Sequence, residues 1–445
     1  MIKIAFIGAG STVFAKSIIG DVFLEPGLGD VELALYDIDS ERLEDSVRLV
    51  NTLNASINEN RATVQGYVGE KQRRDALRDA DFVVNAIQVG GYEPATVRDF
   101  EIPKKYGLRQ TIGDTLGIGG IFRTLRTVPV MLSIAEDMAA VCPGAWLLNY
   151  TNPMATLTGT MLRETPIRTV GLCHSVQVCT DHLSEATGIE LENPRWHIAG
   201  INHMAWLLEL TDGGRDMYPE VKKRASEILA AAREGRDPGT DDLVRLAVLE
   251  RFGYYITESS EHNAEYTPWW IKSRYPELIE KYRIPLDEYP RRCRDQIEKW
   301  QQMRKTLLSS PTIEHERTVE YAADIVRAIT YDTPTRIHGN VLNAGHIGNL
   351  PDGATVEVPC LADGNGIQGV AVGDLPEQCA ALNRTNINPQ LLTMEAARTE
   401  NRDTVYQAAL LDPATAAELS LDDIVALCDD LFEAHRDYLP GGYYR

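Results

Sequence analysis

Apolar residues in the first half of the chain fall in short unbroken runs, separated by longer amphipathic or charged stretches. Runs at 2–7, 31–36, 81–87 and 146–149 are bounded by turn residues, and helical stretches at 71–79 and 121–140 lie between them. Short apolar runs of this kind read as buried strands. Strands alternating with helices read as βαβ units. The expected fold is therefore α/β, with a doubly wound parallel sheet of Rossmann type over residues 1–210. Beyond that point the helical stretches are longer and more charged (220–233, 241–251, 291–308). Residues 336–368 read as strands broken by turns, and two helices, 395–411 and 421–438, close the chain. This predicts a C-terminal α+β domain over 211–445.

The run 2–7 leads into Gly8-Ala9-Gly10-Ser11-Thr12 and then an amphipathic stretch. Strand, glycine turn and helix is the context that gives a dinucleotide fingerprint meaning. Two glycines allow a tight turn and close approach of backbone amides to a pyrophosphate, and the helix N-terminus adds partial positive charge. The third glycine of the pattern is absent, since position 13 is Val. Asp37 closes the second run, where an acid binds a ribose 2′-hydroxyl and repels a 2′-phosphate, so NAD is expected rather than NADP. A helix N-cap is the plainer role for Asp37. Gly8, Gly10, Ser11, Thr12, Asp37 and Asn85 form the candidate cofactor set.

Three successive apolar runs end in polar and soft-ligand residues. The run 146–149 releases Asn149, Tyr150, Thr151, Asn152 and Pro153; 169–172 releases Cys173 and His174; 198–201 releases Asn202 and His203. Open α/β sheets bind ligands at the carboxyl ends of their strands. A thiolate and an imidazole can hold a divalent transition metal and leave positions open for substrate oxygens, which makes Cys173 and His203 candidate ligands. His174, His197 and His262 compete with them. Asn152 offers an amide that can donate to and accept from a hydroxyl. Tyr254 and Tyr255 offer phenols that act as bases if a cation lowers their pKa. The segment 254–270, read as a loop, is crowded with aromatic and polar side chains, as in a wall that stacks on sugar rings or a packed domain interface.

Composition narrows the field. With 44 basic against 65 acidic residues the net charge is −21, which argues against nucleic acid or a membrane surface as partner. No run of about 18 apolar residues suggests a membrane span, and the N-terminus reads as a strand rather than a signal peptide. Seven cysteines without framework spacing fit reduced thiols in a cytoplasm.

The GAGS turn, LLNYTNPMA, GLCHSVQ, AGINHMAW, TESSEHNAEYTPWW, VEVPCLADGNGIQ and TNIN together resemble glycoside hydrolase family 4, and within it the bacterial α-galactosidases. The resemblance runs from Lys3 to Pro440. It implies a lactate/malate dehydrogenase-like fold, NAD and Mn2+ as cofactors, and a homodimer or homotetramer. This family is an exception to the two-carboxylate glycosidases. The implied substrate is a terminal α-D-galactoside. The implied route is oxidation at C3, deprotonation at C2, elimination of the C1 substituent, addition of water and re-reduction. Cys173 and His203 would carry the metal, Asn152 would touch the sugar, and a tyrosine, expected to be Tyr254 rather than Tyr255 or Tyr266, would be the base. His174 stands where members acting on phosphorylated sugars have an acid-supplying Asp, which makes it the candidate general acid. An α-galacturonidase or α-glucosidase of the same family is the alternative, with Arg98 or Arg123 the cation a galacturonide would need. A hydroxy-acid dehydrogenase is the remoter rival.

Overall fold

A computed structural model describes residues 1–445. Its thirteen strands are β1 (Ile2–Ile7), β2 (Val31–Asp37), β3 (Thr63–Val68), β4 (Phe82–Asn85), β5 (Trp146–Asn149), β6 (Arg168–Gly171), β7 (Pro194–Ile201), β8 (Met204–Asp212), β9 (Arg215–Asp216), β10 (Tyr255–Ile256), β11 (Thr335–Leu342), β12 (Thr355–Asp363) and β13 (Gly366–Gly369). All belong to one sheet. Its parallel part runs β3-β2-β1-β4-β5-β6, the strand order of a dinucleotide-binding sheet. β4 is buried at every position, as expected where helices cover both faces. This is the doubly wound sheet that the apolar runs predict.

Past β6 the sheet changes character without ending. β11, β12, β7, β8 and β10 continue it, each antiparallel to its neighbour. β11 and β12 come from the C-terminal half and lie between β6 and β7. Each of the two hydrophobic cores draws residues from both sides of position 210. Because β7 runs against β6, His203 comes from the tip of the β7–β8 hairpin and not from the carboxyl end of a parallel strand. That corrects the expected geometry of the third run.

Other differences are local. The segment 254–270 contains the helix Ser260–Tyr266. The closing stretch 395–411 is two helices, Glu377–Thr399 and Arg402–Leu411. Glu400 turns left-handed between them, and Asn401 caps the second by accepting from the Asp403 and Thr404 amides, as capping asparagines do. One helix, Gly117–Val141, is long and apolar enough to cross a membrane by length and composition, and 78% of its apolar window is buried inside the protein.

Candidate active site

At the first turn, Gly8 has φ +87°, and a Cβ there would meet Ala86 O at 2.6 Å. Only glycine fits both demands. Gly10 donates its amide to Asp37 Oδ2 at 2.6 Å, and Asp37 Oδ1 accepts from Asp39 N at 2.9 Å. Asp39, not Asp37, is the N-cap of the helix Ser40–Ile57. Asp37 instead clamps the glycine turn at the end of β2. Ser11 stands at the N-cap of the helix Thr12–Leu24 and makes no side-chain cap bond, and no acid lies in that helix's first turn. The helix amides there are left for an anion, which is what a pyrophosphate needs.

Two members of the cofactor set have partners within the protein. Thr12 is buried, and its hydroxyl accepts from Ser46 Oγ at 2.9 Å, so it seats one helix on another. The Asn85 amide donates to Asn149 Oδ1 and Thr151 Oγ1 at 2.9 and 3.1 Å, while its Oδ1 has no partner.

At the same carboxyl end of the parallel strands, Cys173 follows β6 and its Sγ lies 3.3 Å from His203 Nε2. His203 Nε2 is 3.6 Å from Glu258 Oε2. The thiol, imidazole and carboxylate ligand atoms all lie within 4.8 Å of one another. His203 Nδ1 meets Thr115 Oγ1 and Tyr266 Oη, each at 3.2 Å. Hydrogen bonding at one ring nitrogen is how proteins aim the other at a metal. Both His203 and Glu258 have left-handed backbones, φ +62° and +68°. Non-glycine residues adopt that conformation only rarely.

The electrostatics describe a pocket short of positive charge. Burial, with Glu357 and Glu258 nearby, pushes the Cys173 thiol up to about 12. Burial also opposes ionisation of Glu258, but His262, His203 and His174 outweigh it and hold the carboxyl at about 2. Burial raises Glu357 to about 7 against the pull of His203. A divalent cation among these donors reverses the penalty on the thiolate. The donor set therefore fits a metal ion, and the Gly8–Asp37 turn fits a dinucleotide.

Around the cluster, Asn152 Nδ2 donates to Asp114 Oδ2 at 3.3 Å, and Thr115 Oγ1 donates to Asp114 Oδ1 at 2.8 Å. Arg123 Nε donates to Asn152 O at 3.2 Å. Arg98 is spent on Ala434 O. His174 lies at the rim, 58% exposed, with Nδ1 3.3 Å from Glu320; that hydrogen bond raises its pKa to about 9.

The expectation for Tyr254 finds no support in the geometry. Tyr255 pairs with Leu207, four residues along β8 from His203, roughly 13 Å at strand rise, and Tyr254 is one step further. The Tyr254 ring packs on Tyr218 at 5.8 Å and under Lys222. Tyr255 bonds Asp242 and stacks on Arg245. Tyr266 alone of the three touches the cluster. The aromatics of this segment mostly pack: Trp270 lies on Tyr282 at 4.7 Å. Glu258 is the ligand that sequence reasoning missed. His262 and Tyr266, four apart, share one face of the helix Ser260–Tyr266, and Glu258 sits just before its N-cap; reading the segment as a loop hid that arrangement.

Comparison with known proteins agrees with this architecture. The model of the family 4 glycosyl hydrolases matches residues 3–189, and that of the family 4 glycosyl hydrolase C-terminal domain matches 198–415. The chain belongs to glycosyl hydrolase family 4. It is 56% identical over 440 residues to an alpha-galactosidase of Bacillus subtilis, covering 99% of each. Among solved structures it is similar to lplD of Bacillus subtilis, with TM-score 0.85 and 26% identity over 97% of this chain and 99% of that one. It is also similar to the 6-phospho-beta glucosidase of Thermotoga maritima, with TM-score 0.78 and 21% identity over 98% and 99%. That structure contains manganese, NAD+ and glucose-6-phosphate.

Proposed function

We propose that this protein hydrolyses terminal α-D-galactosides with the help of bound NAD+ and a divalent metal, Mn2+ in the first instance. The observation that carries the reading is the Cys173–His203–Glu258 cluster at the end of a dinucleotide-binding sheet, in a chain 56% identical to an alpha-galactosidase along its whole length. A hydroxy-acid dehydrogenase would leave that cluster without work.

When bound, NAD+ supplies a hydride acceptor that also returns the hydride, and the metal supplies a Lewis acid beside the sugar oxygens. The glycine turn and the uncapped helix N-terminus receive the pyrophosphate, and Asp37 the ribose hydroxyls. Asn85 offers its unpartnered Oδ1 to the same ligand. Cys173, His203 and Glu258 hold the metal, with His203 fixed through Nδ1. Asn152 and Asp114 bind sugar hydroxyls. Tyr266, in place of Tyr254, takes the proton from C2. His174, kept protonated by Glu320, gives a proton to the leaving oxygen.

In this reading residues 1–210 supply the dinucleotide site and two metal ligands, and 211–445 supply Glu258, Tyr266 and the sugar-facing side. Seven free thiols support a reducing, cytoplasmic setting. The family resemblance supports a homodimer or homotetramer.

The two arginines offered as the cation for a galacturonide are both engaged, Arg98 with a backbone carbonyl and Arg123 with Asn152 O beside Asp114. A substrate carboxylate would have to displace these partners to reach either guanidinium, which is costly. Hydrolysis of 4-nitrophenyl α-D-galactoside is therefore expected to exceed that of the α-D-galacturonide by at least about 100-fold in kcat/KM, or about 2.7 kcal/mol. Equal rates, or preference for the galacturonide, would reject the galactoside assignment.

A further inference from the structure

One buried carboxyl group beside the site has no cationic partner in the protein. Gly171, Asn340, Glu357 and Gly200 are register partners in a row across β6, β11, β12 and β7. Cys173 lies two residues beyond one end of this row, and His203 three beyond the other. Glu357, in the middle, is fully buried. Its Oε1 accepts from Asn340 Nδ2 at 3.3 Å, and its Oε2 has no partner. Asn202, next to His203 at the hairpin tip, is fully buried with both amide atoms unpartnered, and Asn340 Oδ1 is unpartnered too.

A buried carboxylate without a cation burdens the fold, and an apolar side chain in the same strand would pack at no such cost. Val356 and Val358, on either side of it, do so. Something other than packing has to favour an acid here, and the cluster of Cys173, His203 and Glu258, whose thiol and imidazole interact electrostatically with Glu357, offers a place for a cation.

We propose that Glu357 is the outer counter-charge of the metal site, held by Asn340, and raises metal affinity without ligating the ion. This rests on the metal reading given above. Glu357 is a positioning residue in this account, acting through the ion's electrostatic environment. It should therefore stabilise the metal-loaded protein and destabilise the metal-free one. A residue of purely structural value would stabilise both.

The test uses the full chain with NAD+ at pH 8. Mn2+ is titrated calorimetrically, and Tm is measured with and without Mn2+, in wild type, Glu357→Gln and Glu357→Asp. Gln keeps the shape and can still accept from Asn340, so only the charge changes. In E357Q the Mn2+ Kd is expected to weaken about 10–100-fold, the usual range for groups behind a metal's ligands. Its metal-free Tm should equal or exceed that of wild type, and the Mn2+-induced rise in Tm should shrink. E357D, which keeps the charge, should recover most of the affinity. An unchanged Kd in E357Q overturns the proposal, whatever happens to Tm. A lowered metal-free Tm, or failure to fold, also overturns it, because it would make the carboxylate a support of the empty fold. Wild type that binds no Mn2+ at all overturns the metal reading, and this proposal with it.

Discussion

Cys173→Ser is expected to lower kcat/KM on an α-galactoside by more than about 1000-fold, or about 4 kcal/mol of transition-state stabilisation, while leaving NAD+ affinity close to wild type. The thiolate is the soft donor of the cluster, and serine, neutral at ordinary pH, cannot replace it for a transition metal. Removing it leaves His203 and Glu258 as a two-point site. The dinucleotide is spared because β6 is separated from β1 by β5 and β4, roughly 14 Å across the sheet. The glycine turn and Asp37 lie on the far side of that separation. Activity assays with added Mn2+, paired with NAD+ binding by fluorescence, give both readings. Full activity in C173S would remove Cys173 from the metal site. Loss of NAD+ binding would mean that the substitution damaged the fold.

Tyr266→Phe carries the second large effect. Phenylalanine keeps the buried ring and removes the hydroxyl 3.2 Å from His203 Nδ1. A base that removes the C2 proton contributes about 100- to 10,000-fold, so kcat should fall in that range with Mn2+ saturating. If Tyr266 only orients His203, the loss appears in Mn2+ affinity instead, about 10–100-fold, and saturating metal restores kcat. Tyr254→Phe, packed against Tyr218 and Lys222, should change activity by no more than about twofold, as substitutions away from critical contacts do. The reverse ranking would restore Tyr254 as the base and move the chemistry away from the cluster.

What could be read from sequence followed from how directly each residue's role depends on local pattern. β1, β2, β4 and β5 are short apolar runs buried on both faces, and such runs announce themselves. The glycine turn is equally local, because Gly8 is needed for its own backbone angle and the close approach of Ala86. Cys173 follows directly from the end of β6 and needs no distant information. His203 was found for a partly wrong reason: it does end an apolar run, but that run is antiparallel and hangs from the C-terminal strands. Tyr266 sits on a seven-residue helix that polar residues disguise, and Glu258 on the left-handed residue just before that helix's N-cap. Tyr254 looked as suitable as Tyr266 by residue type, and only the β8–β10 register separates them. Glu357 was beyond reach, because an acid inside a strand reads as facing solvent unless the strand is known to lie mid-sheet. The insertion of β11 and β12 between β6 and β7 is a long-range pairing with no local signature, so a boundary near residue 210 could be drawn in sequence while the sheet itself ran through it.

The most direct measurement is hydrolysis of 4-nitrophenyl α-D-galactoside by protein treated with chelator and freed of nucleotide. NAD+ and Mn2+ are returned singly and together under reducing conditions. The account predicts release of nitrophenol only when both are present, with no net accumulation of NADH. Full activity with neither would contradict it, because the glycine turn and the Cys173–His203–Glu258 cluster would then have no part in the reaction.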